Sequence, residues 1–371
     1  MERQAYLRPS SAAVWSKCIG YAALNAALGT EYVEETDNEV REDGTACHWL
    51  AQQVWEGNRP TVGSLSPNGR EITDEMYAAV EEYHDMLRTW AGSPVLEQQV
   101  PVSAHFPGVA NGTPDAWDFD GHVLNVGDLK FGYRPVEVWR NAQLVVYAWT
   151  LVCELSKQGH APQRIRLTIC QPRCPHRDGT TRTWETTVPE LAEIAATLAA
   201  AAQACYAPSP ACTVGSQCRS CPGAFACRTL QAAGMGGVEA SYDATPFVLN
   251  EQQLGYELSK LMAAQAHMEH RITGLSAQAE SLIRKGKSIP GFDMGRRATR
   301  WRWRAGVEPL IRALGPLFNV DVMQEPRLKT VAKLRDTLGA DVVAMYAEKP
   351  DGELVLRQTD PNEAIKRFTQ R

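Results

Sequence analysis

Between Val109 and Leu155 the chain runs through short apolar stretches, one tight turn and one long amphipathic stretch, with polar residues at fixed places. Val109 to Phe131 reads as two or three short strands, with Asp120-Gly121 as the turn between Trp117-Asp118-Phe119 and Val123-Leu124-Asn125-Val126. Val136 to Leu155 reads as a helix carrying Trp139, Leu144, Tyr147, Ala148 and Leu151 on or near one face. Strands feeding a helix of this length commit the region to an α/β or α+β core.

The flanking chain fits that core. Ser10-Ser11 can cap a helix bearing Val14, Trp15, Cys18, Tyr21, Ala22 and Leu24, with a stop at Gly29-Thr30. A second helix starts near Asp43 and holds His48, Leu50, Ala51 and Trp55. A third runs from Thr73 to Trp90, and Pro94 to Val102 reads as a strand. Ile165 to Ile169 and Thr183 to Val188 are a further strand pair, and Pro189 opens an alanine-rich helix. The order predicts a mixed central sheet flanked by helices over residues 1–235. After Tyr206 a Pro/Gly/Cys-rich segment runs to about Gly237. Asn250 with Gln253 then forms a capping box. From Leu254 through Leu258, Leu261, Gln265, Met268, Ile272, Leu275 and Ala279 to Leu282, four-three spacing predicts a long helix packed along one partner helix, within the chain or between chains. Residues 249–371 are expected as a helical and basic C-terminal domain, with Leu328 to Leu338 helical.

Polar residues on this frame suit phosphodiester chemistry. Hydrolysis of a phosphodiester needs an activated water, stabilised charge on the phosphoryl group and help for the leaving oxygen, which one or two Mg²⁺ or Mn²⁺ ions can supply. Asp115 and Asp128 offer hard oxygen ligands, and the nitrogen of His48 shifts preference toward Mn²⁺. Asp128 and Lys130 alternate along one strand and emerge on one face, with Leu129 turned to the core and its carbonyl oxygen available to a metal. Gln143 and Tyr147, four apart on one helix face, could both reach a bound strand. Singly each residue has a plainer reading: a solvated Asp-X-Lys, a surface histidine, a core tyrosine.

As an ordered set, His48, Gly112 with Asp115, Asp128 with Lys130, and Gln143 with Tyr147 resemble the PD-(D/E)XK nucleases of the RecB and lambda-exonuclease type over roughly residues 10 to 230. The second acid is Asp where many relatives carry Glu, which that pattern allows. The resemblance implies a restriction-endonuclease-like core with His48, Asp115 and Asp128 as ligands, Lys130 as the catalytic lysine, and Gln143 with Tyr147 on the substrate side. It implies a metal-dependent DNA exonuclease of phage-type recombination or DNA processing, with a single-strand annealing protein as a partner by family analogy. Rival expectations are an endonuclease, a CRISPR-adaptation-like end trimmer, and a non-catalytic DNA-binding module of the same fold.

Ten cysteines in a chain with no signal peptide and no run of about 18 apolar residues point to a cytoplasmic protein using them for packing or metal ligation. Cys218, Cys221 and Cys227 have ligand spacing and need a fourth partner, for which Cys212, Cys205 and Cys18 are candidates. RecB-type nucleases with an iron–sulfur cluster place one cysteine before the nuclease motifs and three after. The resemblance therefore implies a [4Fe–4S] cluster on Cys18, Cys218, Cys221 and Cys227. It would close a loop of about 200 residues. A zinc knuckle on Cys212, Cys218, Cys221 and Cys227, in a protein acting only as a scaffold, is the alternative. Cys47 and Cys153 read as small buried hydrophobes, and Cys170, Cys174 and His176 as a strand end.

The net charge of −5 does not advertise a nucleic-acid binder, but it is unevenly spread. Arg284 to Arg304 holds eight basic residues and one acid, giving +7 and leaving −12 elsewhere. There Arg296, Arg297, Arg300, Trp301, Arg302, Trp303 and Arg304 combine cations with rings, so arginines facing phosphates or rings stacking on bases would fit a DNA contact. The plain alternative is a strand with core tryptophans and solvated arginines. The Ile289-Pro290-Gly291-Phe292 and Gly295-Arg296 context also resembles the tail of a phage-associated family of the same nuclease group. The long helix before it is expected to clamp DNA or to form an oligomer contact.

Overall fold

In the computed structural model the described residues are 7–29, 39–174, 176–240, 248–296, 302–304, 306–324, 327–328, 331–348 and 354–358. The chain divides into two compact units, Met1–Ser281 and Leu282–Arg371.

The first unit opens with α1 (Ala12–Trp15) and α2 (Tyr21–Leu28). The single helix expected here is broken because the chain docks on a distant segment: the Gly20 amide donates to the Ala211 carbonyl at 3.1 Å. A Cβ at position 20 would stand 2.5 Å from Cys212 Sγ, so glycine is required at this close approach. Helix α3 (Glu39–Trp55) carries His48, and α4 (Asp74–Arg88) begins at Thr73, whose hydroxyl accepts from the Met76 amide. The strand expected over 94–102 shrinks to β1 (Val95–Leu96), followed by a lone bridge from Val100 to Gly112.

Strands β2 (Ala116–Phe119) and β3 (Val123–Leu129) form the expected hairpin. Asp120 accepts from the amides of His122 and Val123, and Gly121 takes φ 98° in the turn. Helix α5 (Ala142–Lys157) crosses to β4 (Arg164–Cys170), which pairs parallel with β3. Antiparallel β5 (Thr181–Thr186) completes the order β1-β2-β3-β4-β5, and α6 (Val188–Ala204) follows. The result is a mixed α/β fold with a five-stranded mixed sheet flanked by helices.

Every position of β3 is buried, as befits a central strand covered on both faces. Leu124 and Val126 join Ile165, Leu167 and Ile169 in a core under α1, α2, α5 and α6. Leu129 packs on the opposite side with Leu50, Met76, Tyr83 and Leu87 of α3 and α4, where Gly127 makes room for Trp90. Alternation therefore sends Asp128 toward α5. Truncating a residue such as Leu124 to alanine would cost about 2–5 kcal/mol.

Helix α5 begins six residues later than the periodicity predicts, so Trp139 lies in a loop and not on the helix. Asn141 caps it by accepting from Leu144 N at 3.2 Å, and Arg140 takes φ 50° just before. The backbone of residues 132–138 bonds to side chains of the sheet. Gln171 donates to the carbonyls of Gly132 and Arg134 and accepts from Val136 N, and Arg182 donates to the Val136 carbonyl.

Helix α7 (Arg228–Ala240) is followed by α8 (Glu251–Arg284), which starts with the expected reciprocal bonds between Asn250 and Gln253. Its buried positions are Ala264, Gly274 and Ser281, so small residues make the close contacts. At Gly274 a Cβ would lie 2.8 Å from Phe225 N. Among the described residues most of the four-three seam is not packed: Leu254, Leu258, Leu261, Ile272 and Leu275 are exposed, while Met268, Ala279 and Leu282 are half-buried.

In the second unit Phe292–Arg296 pairs antiparallel with Leu354–Gln358, and Arg302–Trp303 with Ala347–Glu348. Helices Glu308–Leu317, Val331–Leu338 and Ala340–Tyr346 enclose a core of Ile311, Val322, Leu334, Leu338 and Val343. Trp303 packs against that core, and Arg304 is exposed with its guanidinium on the Met345 carbonyl. Arg297, Arg300 and Trp301 lie outside the described residues, as do the side chains of Arg296 and Arg302. No helix among the described residues is long and apolar enough to cross a membrane.

Candidate metal centre

Five elements bring the polar residues to one end of the sheet. Helix α3 supplies His48, the residue after β1 supplies Glu97, and the entry to β2 supplies Asp115. The end of β3 supplies Asp128 and Lys130, and the first turns of α5 supply Gln143 and Tyr147. His48 Nδ1 stands 3.4 Å from both Glu97 Oε1 and Asp115 Oδ1. Among the described residues this is the one group with three such ligand atoms within 4.8 Å of one another. Glu97 takes φ 50°, a conformation with a backbone cost.

Asp115 is also the hinge between sheet and site, since its Oδ2 accepts from Leu129 N at 2.7 Å. Leu129 thus meets Asp115 through its amide, with its side chain wholly buried. Asp128 Oδ1 accepts from Lys130 Nζ at 2.8 Å and from Gln143 Nε2 at 3.2 Å, while Lys130 Nζ also reaches Gln143 Oε1 at 3.4 Å. Tyr147 is buried in the core against Gly112, where a Cβ would lie 2.8 Å from its ring, one helical turn from Gln143. The tyrosine therefore backs the glutamine and does not face solvent.

Charge is dense here. Burial works against the charged form of His48, but Asp115 and Glu97 overcome it and raise its pKa to about 10. Burial also opposes the Asp115 carboxylate, yet His48, Lys130 and the Leu129 amide hold it below the usual range. Burial, with Asp115 close by, pushes Asp128 up to about 6 against the pull of Lys130. The Lys130 ammonium is disfavoured by burial and more than restored by Asp128 and Asp115, so its pKa rises. Beneath lies the Tyr83 hydroxyl, buried with no hydrogen-bond partner and pushed up by burial, then by Asp115, Asp128 and Glu97.

A divalent cation fits this donor set. Three carboxylates face one lysine and one imidazole, and exchanging the imidazole proton for a 2+ ion would balance the charge at three carboxylates, one ammonium and one cation. The donors open into a cleft of about 520 Å³ lined by Arg41, Thr45, His48, Glu97 and Lys130. Sequence reasoning missed Glu97. Its signal was that it is the one acid in the apolar stretch from Pro94 to Val102.

A family model matches residues 4–363 of the chain, and its description is a protein of unknown function, DUF2800. The chain belongs to the DUF2800 family. Membership fixes kinship over nearly the whole chain and assigns no chemistry.

The DUF2800 protein also gathers cysteines from far apart. Thr213 N donates to Cys18 Sγ at 3.5 Å, and the Thr213 hydroxyl bonds to the Lys17 carbonyl. Cys212 lies close enough to Cys18 and Cys227 to feel both electrostatically. Burial, then Cys227 and Cys18, push the Cys212 thiol up to about 12. Cys221 is likewise pushed up to about 12 by burial, eased by the Gly223 amide, and then by Cys18, Cys218 and Cys227. Cys205 stands apart, its thiol on the Trp15 carbonyl within the main core. Among the described residues no three cysteine sulfurs lie within 4.8 Å of one another, so no cluster-like arrangement is present and no cofactor is established.

Proposed function

We propose that this DUF2800 protein is a metal-dependent deoxyribonuclease of the PD-(D/E)XK kind, acting on DNA ends. The observation that carries the reading is the juxtaposition of the His48–Glu97–Asp115 triad with the Asp128–Lys130 pair on one sheet end. His48, Glu97 and Asp115 would hold Mg²⁺ or Mn²⁺, with Asp128 beside them. Such an ion, when bound, supplies Lewis-acid stabilisation and lowers the pKa of an attacking water. The residues do the rest. Lys130, kept protonated by Asp128 and Asp115, offers its ammonium to a phosphate oxygen. Asp128, raised to about 6, is ready to accept the proton of the attacking water. Gln143 holds Asp128 and Lys130 in register, and Tyr147 fixes Gln143 from behind.

As a second, structural element of the same reading we propose a [4Fe–4S] cluster on Cys18, Cys218, Cys221 and Cys227, on the resemblance of their order to RecB-type nucleases and not on the positions of their sulfurs, with zinc and Cys212 as the competing assignment. Iron, sulfide and zinc analysis of anaerobically purified protein decides between them.

The test of the activity uses 5′- and 3′-labelled linear duplex, single strands and closed circles with Mn²⁺, Mg²⁺ or EDTA, beside Asp128→Ala. Metal-dependent loss of linear DNA that vanishes in the variant is expected. Cutting of circles would make it an endonuclease. A folded protein that binds DNA and cleaves none with any metal would leave a binding module.

A further inference from the structure

The loop from Phe131 to Asn141 joins Lys130 to the helix that carries Gln143, and it is unusual in what it exposes. Trp139 is 64 % exposed and Tyr133 57 % exposed. Each ring is paired with a guanidinium: Arg140 lies 5.0 Å from the Trp139 ring centre, and Arg173 lies 4.1 Å from that of Tyr133. Arg173 also stacks on Phe131 at 4.3 Å and bonds the Tyr133 hydroxyl. Two of the acids beside these arginines are known: Arg140 approaches Glu190 at 3.7 Å and Arg173 approaches Glu75 at 3.0 Å.

The loop is irregular yet fixed. Gln171 and Arg182 bind its carbonyls at 132, 134 and 136, Asn141 N bonds the Val138 carbonyl, and Asn141 Nδ2 donates to the Glu137 carbonyl. Its two rings are close to the candidate centre by chain length alone. Tyr133 is three residues from Lys130 and Trp139 four from Gln143, so their Cα atoms stand within about 11 and 15 Å of those residues. A rigid support holding two solvent-facing rings, with the half-exposed Arg140 beside Trp139 and the mostly buried Arg173 bracing Tyr133, matches the chemistry of base stacking with phosphate attraction at Arg140.

We propose that this loop is a stacking ledge for unpaired bases of a DNA strand, so that the substrate presented to the metal centre is single-stranded or frayed. The proposal rests on the hydrolytic reading only for where the strand is led. Paired bases inside a duplex are stacked on both sides and have no free face for Trp139 to take; only the terminal pair exposes one.

The test measures binding of a fluorescent short oligothymidylate to the full-length protein by anisotropy, with Ca²⁺ replacing the catalytic ion. An abasic strand of equal length and a blunt duplex serve as comparisons. Trp139→Ala should weaken oligothymidylate binding about 10-fold, and Trp139→Phe should stay within about 3-fold of the parent. Neither change should alter the abasic strand or the duplex. Equal binding of oligothymidylate by Trp139→Ala and parent would overturn the ledge, as would equal affinity of the parent for the abasic strand. The melting temperature and the phenylalanine variant guard against misfolding. Cleavage separates the two claims: metal-dependent hydrolysis unaffected by Trp139→Ala removes the ledge and keeps the nuclease, whereas ring-dependent binding without hydrolysis by any metal keeps the ledge and removes the nuclease.

Discussion

The metal centre and the cysteine junction both join parts of the chain that are distant in sequence, but they cohere in opposite ways. At the metal centre unlike charges interlock: His48 with Glu97 and Asp115, Lys130 with Asp128 and Asp115. With three carboxylates against two cations, one negative charge is left over before any ion arrives. At the junction the neighbours are alike. The groups raising Cys212 and Cys221 are burial and other cysteines. Neutral thiols give little mutual attraction, so cohesion there depends on what binds them. On the reading proposed above, the first site would react at an ion and the second would be held by one.

That contrast can be broken at four points. Lys130→Ala is expected to lower metal-dependent cleavage about 10³-fold in single-turnover assays, with the melting temperature nearly unchanged. A large loss of stability would mean that the Asp128–Lys130 pair is structural. Cys221→Ser should do the reverse, costing about 4 kcal/mol in denaturant unfolding because it releases a loop of about 200 residues, with cleavage by the remaining folded protein intact. Equal stability of variant and parent would show that nothing bridges the junction.

The third point is pH. His48 rises from an ordinary 6.5 to about 10 in the folded chain, so its contribution to metal-free stability is complete below 6.5 and is lost as pH rises through 10. A cation that displaces this proton should bind about tenfold tighter per pH unit in that window, releasing about one proton by calorimetry in buffers of different ionisation heat. A flat profile would take the imidazole out of the ligand set. The smallest effect is expected from Glu97→Gln, which should weaken Mn²⁺ binding about 10-fold, with Asp115→Asn weakening it further. An unchanged affinity would leave Glu97 a hydrogen-bond partner of His48 and nothing more.

Much of this was legible in residue order because it is local. The Asp120-Gly121 hairpin, the Asn250–Gln253 box and the Asp128–Lys130 alternation each depend on neighbours within a few positions. What was hidden depends on contacts made across the chain. Periodicity runs a helix through Trp139, but Gln171 and Arg182 take the backbone groups such a helix would use. A helix also fits residues 10–29 until Gly20 is drawn onto Ala211 and Cys212. Glu97 looked like a strand residue, and only the fold sets it against His48. The leucine seam of α8 was plain as a pattern, but its burial was decided by the small residues Ala264 and Gly274 on another face.

The contact of Gly20 with Ala211 and Cys212 also sets a schedule. Gly20 is made about 190 residues before Ala211 and Cys212, the segment onto which it docks. At about 5–20 residues per second of synthesis, this contact waits roughly 10–40 s, although the partners of Val14, Trp15 and Tyr21 on α5 are made earlier. A nascent chain of this protein thus carries a hydrophobic segment awaiting the last part of its dock, and its yield should depend on what shields that segment in the interval.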